Sequence, residues 1–374
     1  MNNTLEKKIL FIFNEGREQK LQNIEFYAKD FFYHYLDLKN ENYDVDYIQI
    51  SELNHDFNNW AIKFIEKLVR KITNIPFYHT KLLSKKNITK INDAEIIVFT
   101  NETTIFSLFF YLFFNKLKNK EKIAFLMGIT QLDGNKFRNF IKDALIRTIF
   151  SRLDKIIFLS KGELKKAKTI YFENINKFKH LPFAIDSDFW TSEDFKLNKN
   201  NEILFIGNDK NRDFEIVKNL IKILPNYKFT VVSKNNIFSK LKANNIKHIS
   251  GEWRLDKVTD LEILKIYFKA KICILPIKPT SQPSGQSVAS QAMSIGVPVI
   301  ITKTEGFWEP DLFIDKENIF FVESNSLESW KDIIENVYQE EALLNFVSQN
   351  AKKIIINKYS QNIVFEEFKS LLLM

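Results

Sequence analysis

A single cysteine in 374 residues leaves no disulfide framework to staple the chain, and that residue, Cys273, lies inside the apolar run KICILPI. A reducing, cytoplasmic setting is the expectation. Glycine and proline are scarce, nine and eight residues, which excludes collagen-like and proline-rich disordered classes. Long apolar runs are lacking as well. The most apolar stretch, IFSLFFYLFF at 105–114, falls well short of the ~20 residues that span a bilayer and is expected as a buried core helix. The N-terminus, MNNTLEKKILFIFNEG, carries a short apolar run that reads as a first strand, not as the core of a secretory signal. No solenoid repeat or low-complexity tract is present.

What is there is charge, unevenly placed. The formal net charge is +8, and all of it falls in residues 1–187, which carry 30 basic against 22 acidic side chains. The steepest excess runs over residues 60–90, where Lys63, Lys67, Arg70, Lys71, Lys81, Lys85, Lys86 and Lys90 face Glu66 alone, with Phe64, Ile65, Leu68, Phe77 and Tyr78 among them. Such a basic amphipathic patch fits peripheral contact with an anionic membrane or a phosphate-bearing acceptor; the plain alternative is a solvated lysine-rich face. One patch without a recognition motif does not make a nucleic-acid binder.

Short apolar β runs alternate with amphipathic stretches along the chain. They fall at 8–13, 44–50, 95–100, 122–127 and 155–160, and again at 202–207, 228–233, 247–250, 271–277 and 297–302. The pattern predicts an α/β protein with two doubly wound, Rossmann-like domains facing a cleft: residues 1–187, a polar linker at 188–201, residues 202–355, and a C-terminal helix at 356–374 that crosses back to the first domain. In open α/β sheets, ligands sit beyond the carboxyl ends of the strands. The polar segments NEGR, NET, GITQLDG, GNDKNRD, GEW and KPTSQPSGQS all follow β runs.

The densest of these is QPSGQSVASQAMSIGVPVIIT, beginning at Gln282. Ser284, Gly285, Gln286 and Ser287 form an N-capping cluster, a helix of small residues follows to Ile295, Gly296 ends it and Pro298 stops its continuation. VPVIIT reads as a buried parallel strand. A helix start of this kind gathers unpaired N–H groups and the positive end of the helix dipole, a setting for a phosphate or sugar hydroxyl; the plain alternative is an ordinary helix cap.

This order of features resembles the two-Rossmann (GT-B) glycosyltransferases, particularly the family 4 type of bacterial polysaccharide and cell-envelope synthesis. LFIGNDKNRDFEIV, DLEILKIYFKAKICILP and the donor loop carry the likeness in the second half; LDKIIFLSKGELKKAK and HLPFAIDSDFW carry it in the first. Two glutamates that such enzymes carry across the donor loop, separated by seven residues, are absent: Gln291 occupies the second position, and the first falls on Pro283 or is lost. The resemblance implies a hexosyltransferase-like enzyme that moves a sugar from a nucleoside diphosphate sugar to a glycan or lipid-linked acceptor, with retention and without a cofactor. It also implies that Gln291 shares the task of holding ribose hydroxyls, with Gln282 and Gln286 as neutral partners for the sugar.

The chemistry needs fixed positive charge against the departing diphosphate. Gly207 and Asn208 follow a strand, and Arg212 stands where the family's phosphate-binding basic residue stands; its guanidinium suits bidentate contact, and a surface pair with Asp209 or Asp213 is the alternative. The N–H groups of Gly285, Gln286 and Ser287 are expected to grip the remaining oxygens, so Arg212 and Gln286 are the catalytic candidates. No paired-aspartate or clustered-histidine signature argues for a metal. Trp253 is a candidate to stack on the base, with a core tryptophan as the alternative. Glu305 either orients sugar hydroxyls or is a surface glutamate. On the acceptor side the candidates are Gly16, Arg17, Gly128, Thr130 and Asp133; were the reaction inverting, Asp133 or Glu102 would have to take the acceptor proton. The rivals are a sugar-nucleotide epimerase or phosphorylase of the same fold and a catalytically silent glycan-binding protein.

Overall fold

The computed structural model describes residues 7–51, 56, 60–132, 134–191, 201–251 and 258–373. Each of the ten apolar runs forms a strand. In the first half these are β1 Ile9–Phe13, β2 Val45–Gln49, β3 Ile96–Phe99, β4 Glu121–Leu126 and β5 Lys155–Phe158, followed by β6 Phe178–His180. In the second they are β7 Glu202–Ile206, β8 Lys228–Val232, β9 Ile246–Ile249, β10 Ala270–Leu275 and β11 Val299–Thr302, followed by β12 Phe320–Val322. Each sheet thus gains one edge strand, β6 or β12, that the sequence reading lacked. Three residues are too few to show a period.

The strand orders are β2-β1-β3-β4-β5-β6 and β12-β11-β10-β7-β8-β9, and every pairing is parallel. Parallel sheets carry helices on both faces, which is why β1 and β3 are uninterrupted apolar runs, β11 is apolar up to Thr302, and every residue of the three is buried. In the first sheet Leu10 and Ile12 enter one core with Ile97, Phe99 and Phe150, while Phe11 and Phe13 meet Tyr35 and Phe32 on the other face. In the second, Ile203 and Phe205 pack with Val217, Leu220, Ile334 and Trp330.

The chain divides into two compact units whose boundaries differ from the expected ones. The first comprises Met1–Gln22, Phe32–Pro182 and Glu367–Met374; the second, Asn23–Phe31 and Phe183–Glu366. Residues 23–31 therefore belong with the second sheet, although the sequence reading assigned them to the first. The return to the first unit begins at Glu367, within the helix Gln361–Leu373, and not at 356. There Phe368 packs on Phe125 and His34. Most of the expected linker lies outside the described residues; its beginning forms the short helix Ser187–Trp190 in the second unit. The 105–114 stretch is broken into the short helices Glu102–Ser107 and Phe109–Phe113; Ile105, Leu108 and Leu112 are buried while Phe113 and Phe114 are exposed. Among the described residues no helix is long and apolar enough to cross a membrane.

Candidate functional site

In the second sheet β7 and β10 are neighbours, and successive connections leave them in opposite directions. This reversal opens a crevice at their carboxyl ends, the usual ligand position in such sheets. The loop after β7 is fixed across that crevice by backbone bonds. Asp213 N donates to Pro276 O at 2.9 Å, Lys278 N donates to Asn211 O at 2.8 Å, and Arg212 forms a bridge to Ile277.

Arg212 is buried. Its Nε lies 2.9 Å from Asp209 Oδ2, and Nη1, also buried, has no hydrogen-bond partner among the described residues. The side chain threads between two glycines. A Cβ at Gly207 would stand 2.6 Å from Nε, and one at Gly285 2.9 Å from Nη1. Gly285 has a φ of 91°, the left-handed region that glycine tolerates best, and is the N-cap of the helix Gln286–Ile295. Of the expected capping cluster of Ser284, Gly285, Gln286 and Ser287, Gly285 is the N-cap, and it provides no side-chain cap bond. A buried guanidinium set against a helix N-terminus without a side-chain cap concentrates positive charge, with Asp209 as its ion-pair partner among the described residues. A bound anion would resolve this.

The two features open on a cavity of about 340 Å³ whose lining includes Gly207, Asn208, Asp209, Arg212 and Ser287 together with Phe31, Val232, Val258 and Ile263. Gln291 and Asp260 also line it. The other expected donor residues have different employment. Asn208 ties strand ends together: its Nδ2 donates to Gly251 O at 2.9 Å, and its Oδ1 accepts from Lys234 N at 2.7 Å. Gln282 and Ser284 accept from Asn211 Nδ2 and do not line the cavity. The Gln286 N–H is spent on Pro283 O at 3.3 Å; of the three expected N–H donors it is the one already engaged. Gln291 Nε2 donates to Asp30 Oδ2 at 2.9 Å, and its Oε1 accepts from Tyr267 at 3.3 Å. Both amide atoms thus face protein groups where ribose hydroxyls were expected. Trp253 lies outside the described residues. Gly306 N donates to Thr280 O, and the absence of a Cβ there lets the backbone of Ser281 and Gln282 approach.

In the first unit Gly16 and Arg17 follow β1, beside which the strand order reverses, and Gly128 and Thr130 follow β4. Gly16 has a φ of 91°, and Arg17 N donates to Gln49 Oε1 at 3.1 Å. Asp133 lies outside the described residues. Gly128 and Thr130 are held by a buried acid that the sequence reading passed over. Glu163 accepts from Gly128 N at 2.7 Å and from Thr130 N at 3.2 Å, while Glu102 accepts from Met127 N at 2.5 Å. The turn's donors are consumed internally, so they are not open to an acceptor. Burial, then the charge of Glu102, pushes the Glu163 carboxyl up to about 8, and burial raises Glu102 as well.

A carboxyl whose folded value is raised keeps its proton where the unfolded chain has lost it, so Glu163 favours the folded state least above pH 8 and most below its ordinary value. Stability is expected to fall between about pH 5 and pH 8, by at most ~1.4 kcal/mol per pH unit from this group. Glu163→Gln should flatten that fall. Urea titrations at pH 5.5 and 8 check it; an unchanged slope would show that Glu163 ionises in the folded protein.

The sequence reading also missed Asp30 and Phe31. Asp30 is buried and accepts from Asp186 N at 2.6 Å, Trp190 Nε1 at 2.9 Å and Gln291 Nε2; burial pushes it up to about 7. The only local signal was an acid set before two phenylalanines.

Residues 200–340 match the family model described as Glycosyl transferases group 1. The capsular polysaccharide biosynthesis glycosyltransferase CapM of Staphylococcus aureus is 30% identical over 93 residues, 25% of this chain and 24% of CapM, so the match spans about a quarter of that relative. Among solved structures, Anabaena HepE in complex with UDP and glucose aligns over 98% of this chain and 99% of its own at a TM-score of 0.65 and 13% identity. Sucrose-phosphate synthase from Thermosynechococcus elongatus aligns over 98% of both chains at 0.69 and 13%. At such identity the likeness is one of fold.

Proposed function

We propose, from the premise that this chain is a glycosyltransferase of the group 1 type with the two-sheet GT-B fold, that it moves a sugar from a nucleoside diphosphate sugar, with UDP as the leading nucleotide, to a glycan or lipid-linked acceptor. The observation that carries this reading is the buried, unfilled Arg212 Nη1 set against the uncapped start of the helix Gln286–Ile295. Both supply fixed positive charge to a departing diphosphate, and each such contact is worth ~3 kcal/mol in a water-poor site. With that charge provided by protein groups, the transfer runs without a metal. The leaving phosphate takes the acceptor proton, and configuration is retained.

The acceptor is presented at an anionic lipid surface. The helix Trp60–Thr73 is turned unusually: the acid Glu66 is buried, accepting from Thr80 N and Oγ1, while Trp60, Phe64 and Leu68 are exposed. It packs beside the helix Lys136–Arg152, which exposes Phe137 and Phe140. Lys63, Lys67, Lys71, Lys136 and Arg138 are exposed around these apolar side chains. Exposed aromatics ringed by cations suit an anionic bilayer. The position differs from the expected one, because Phe77 is buried and Lys81 lies over the Tyr78 ring.

The test is a thermal-shift panel of UDP, GDP, CDP, ADP and their sugar conjugates with EDTA present. A ligand at 100 times its Kd should add about 2.7 kcal/mol of stability. One selective hit is expected, and silence across the panel would overturn the donor reading. In parallel, the protein should sediment with phosphatidylglycerol vesicles and not with phosphatidylcholine ones; equal behaviour with both would remove the lipid surface.

A further inference from the structure

The lining of the cavity holds both charged and apolar side chains, and a nucleoside diphosphate likewise joins an anionic part to a planar one. Arg212 accounts for the anionic part. Phe31 is the one aromatic among the described lining residues. It comes from a segment far from β7 in sequence, Asn23–Phe31, that belongs to the second unit.

That segment is fastened residue by residue. Ala28 N donates to Asp260 Oδ2 at 3.1 Å, Lys29 N donates to Asp186 Oδ2 at 3.0 Å, and the Asp30 carboxylate receives Asp186 N, Trp190 Nε1 and Gln291 Nε2. Two of these anchors, Asp260 and Gln291, themselves line the cavity. Phe183 supports the Phe31 ring, with centroids 4.9 Å apart. An aromatic face held so firmly in the cavity that Arg212 also lines offers a flat, preorganised contact for a planar heterocycle.

We infer that Phe31 is the platform on which the donor's nucleobase lies, and that Gln291 is a positioning residue that holds Phe31 through Asp30 instead of touching the ribose. This rests on the donor reading proposed above. It explains a glutamine at this position: a glutamate would set a second carboxylate 2.9 Å from Asp30, where like charges repel.

The test compares a nucleotide with a base-free anion by calorimetry, using UDP, GDP, CDP, ADP and inorganic pyrophosphate on the full chain. Phe31→Leu keeps apolar bulk and removes the π face. The Kd of the tightest nucleotide should rise about tenfold, the scale of one base–aromatic stack, while pyrophosphate binding stays unchanged. Gln291→Glu should weaken the same nucleotide and likewise spare pyrophosphate. Equal nucleotide binding by wild type and Phe31→Leu would overturn the platform while leaving the donor reading intact. Equal loss of both ligands would make Phe31 a purely structural residue and overturn it too. Tighter nucleotide binding by Gln291→Glu would return that position to the ribose. A wild type that binds none of the nucleotides would sink the donor reading together with this one.

Discussion

Arg212→Ala is expected to raise the Kd of the donor nucleotide roughly a hundredfold, the loss that follows removal of one preorganised charge-stabilising contact. The effect should be local, because the loop is held by backbone bonds that alanine retains: Asp213 N to Pro276 O, Lys278 N to Asn211 O, and the bridge from residue 212 to Ile277. The variant also leaves Asp209, half-exposed, free to find solvent. Arg212→Lys should recover part of the affinity, since an ammonium supplies charge but not the planar fork that meets two phosphate oxygens. Calorimetric titration decides, with circular dichroism as the control. A folded Arg212→Ala protein that binds the nucleotide as the wild type does would remove the phosphate role.

Gly285→Ala should damage the site through a single methyl group. The added Cβ has two quarrels with the fold: a φ of 91°, and atoms 2.9 Å away on both Arg212 Nη1 and Ile277 Cδ1. Gly296 provides the comparison at the other end of the same helix. Its φ is 92°, but the nearest atom to its Cβ is Ser348 Oγ at 3.4 Å. Both alanines therefore carry the backbone cost, of order 1 kcal/mol, and only Gly285→Ala displaces the guanidinium. Expected results are a drop in thermal midpoint for both variants and a loss of at least tenfold in nucleotide affinity for Gly285→Ala alone. Equal affinities in the two variants would show that Arg212 can shift without consequence.

The buried groups of the two units point the same way in pH. Glu163 and Asp30 both have raised carboxyls, so each contributes to a protein that is firmer at mildly acidic pH than at pH 8.

The sequence by itself determined the strands, because a parallel sheet covered on both faces demands runs such as ILFIF and IIVF that no polar residue interrupts. It also pointed to the loops after β7 and β10, where the structure brings Arg212, Gly207 and Gly285 together, because short-range spacing carried that message. What only the tertiary structure decided were contacts between residues distant in the chain. The partnership of Gln291 with Asp30 spans 261 positions, and the grip of Glu163 on Gly128 spans 35. Whether an amide faces a ribose or a buried carboxylate depends on which segment is packed behind it. Residues 23–31 settle that by joining the second unit, a choice made by burial and hydrogen bonding across the fold, for which local periodicity has no signal.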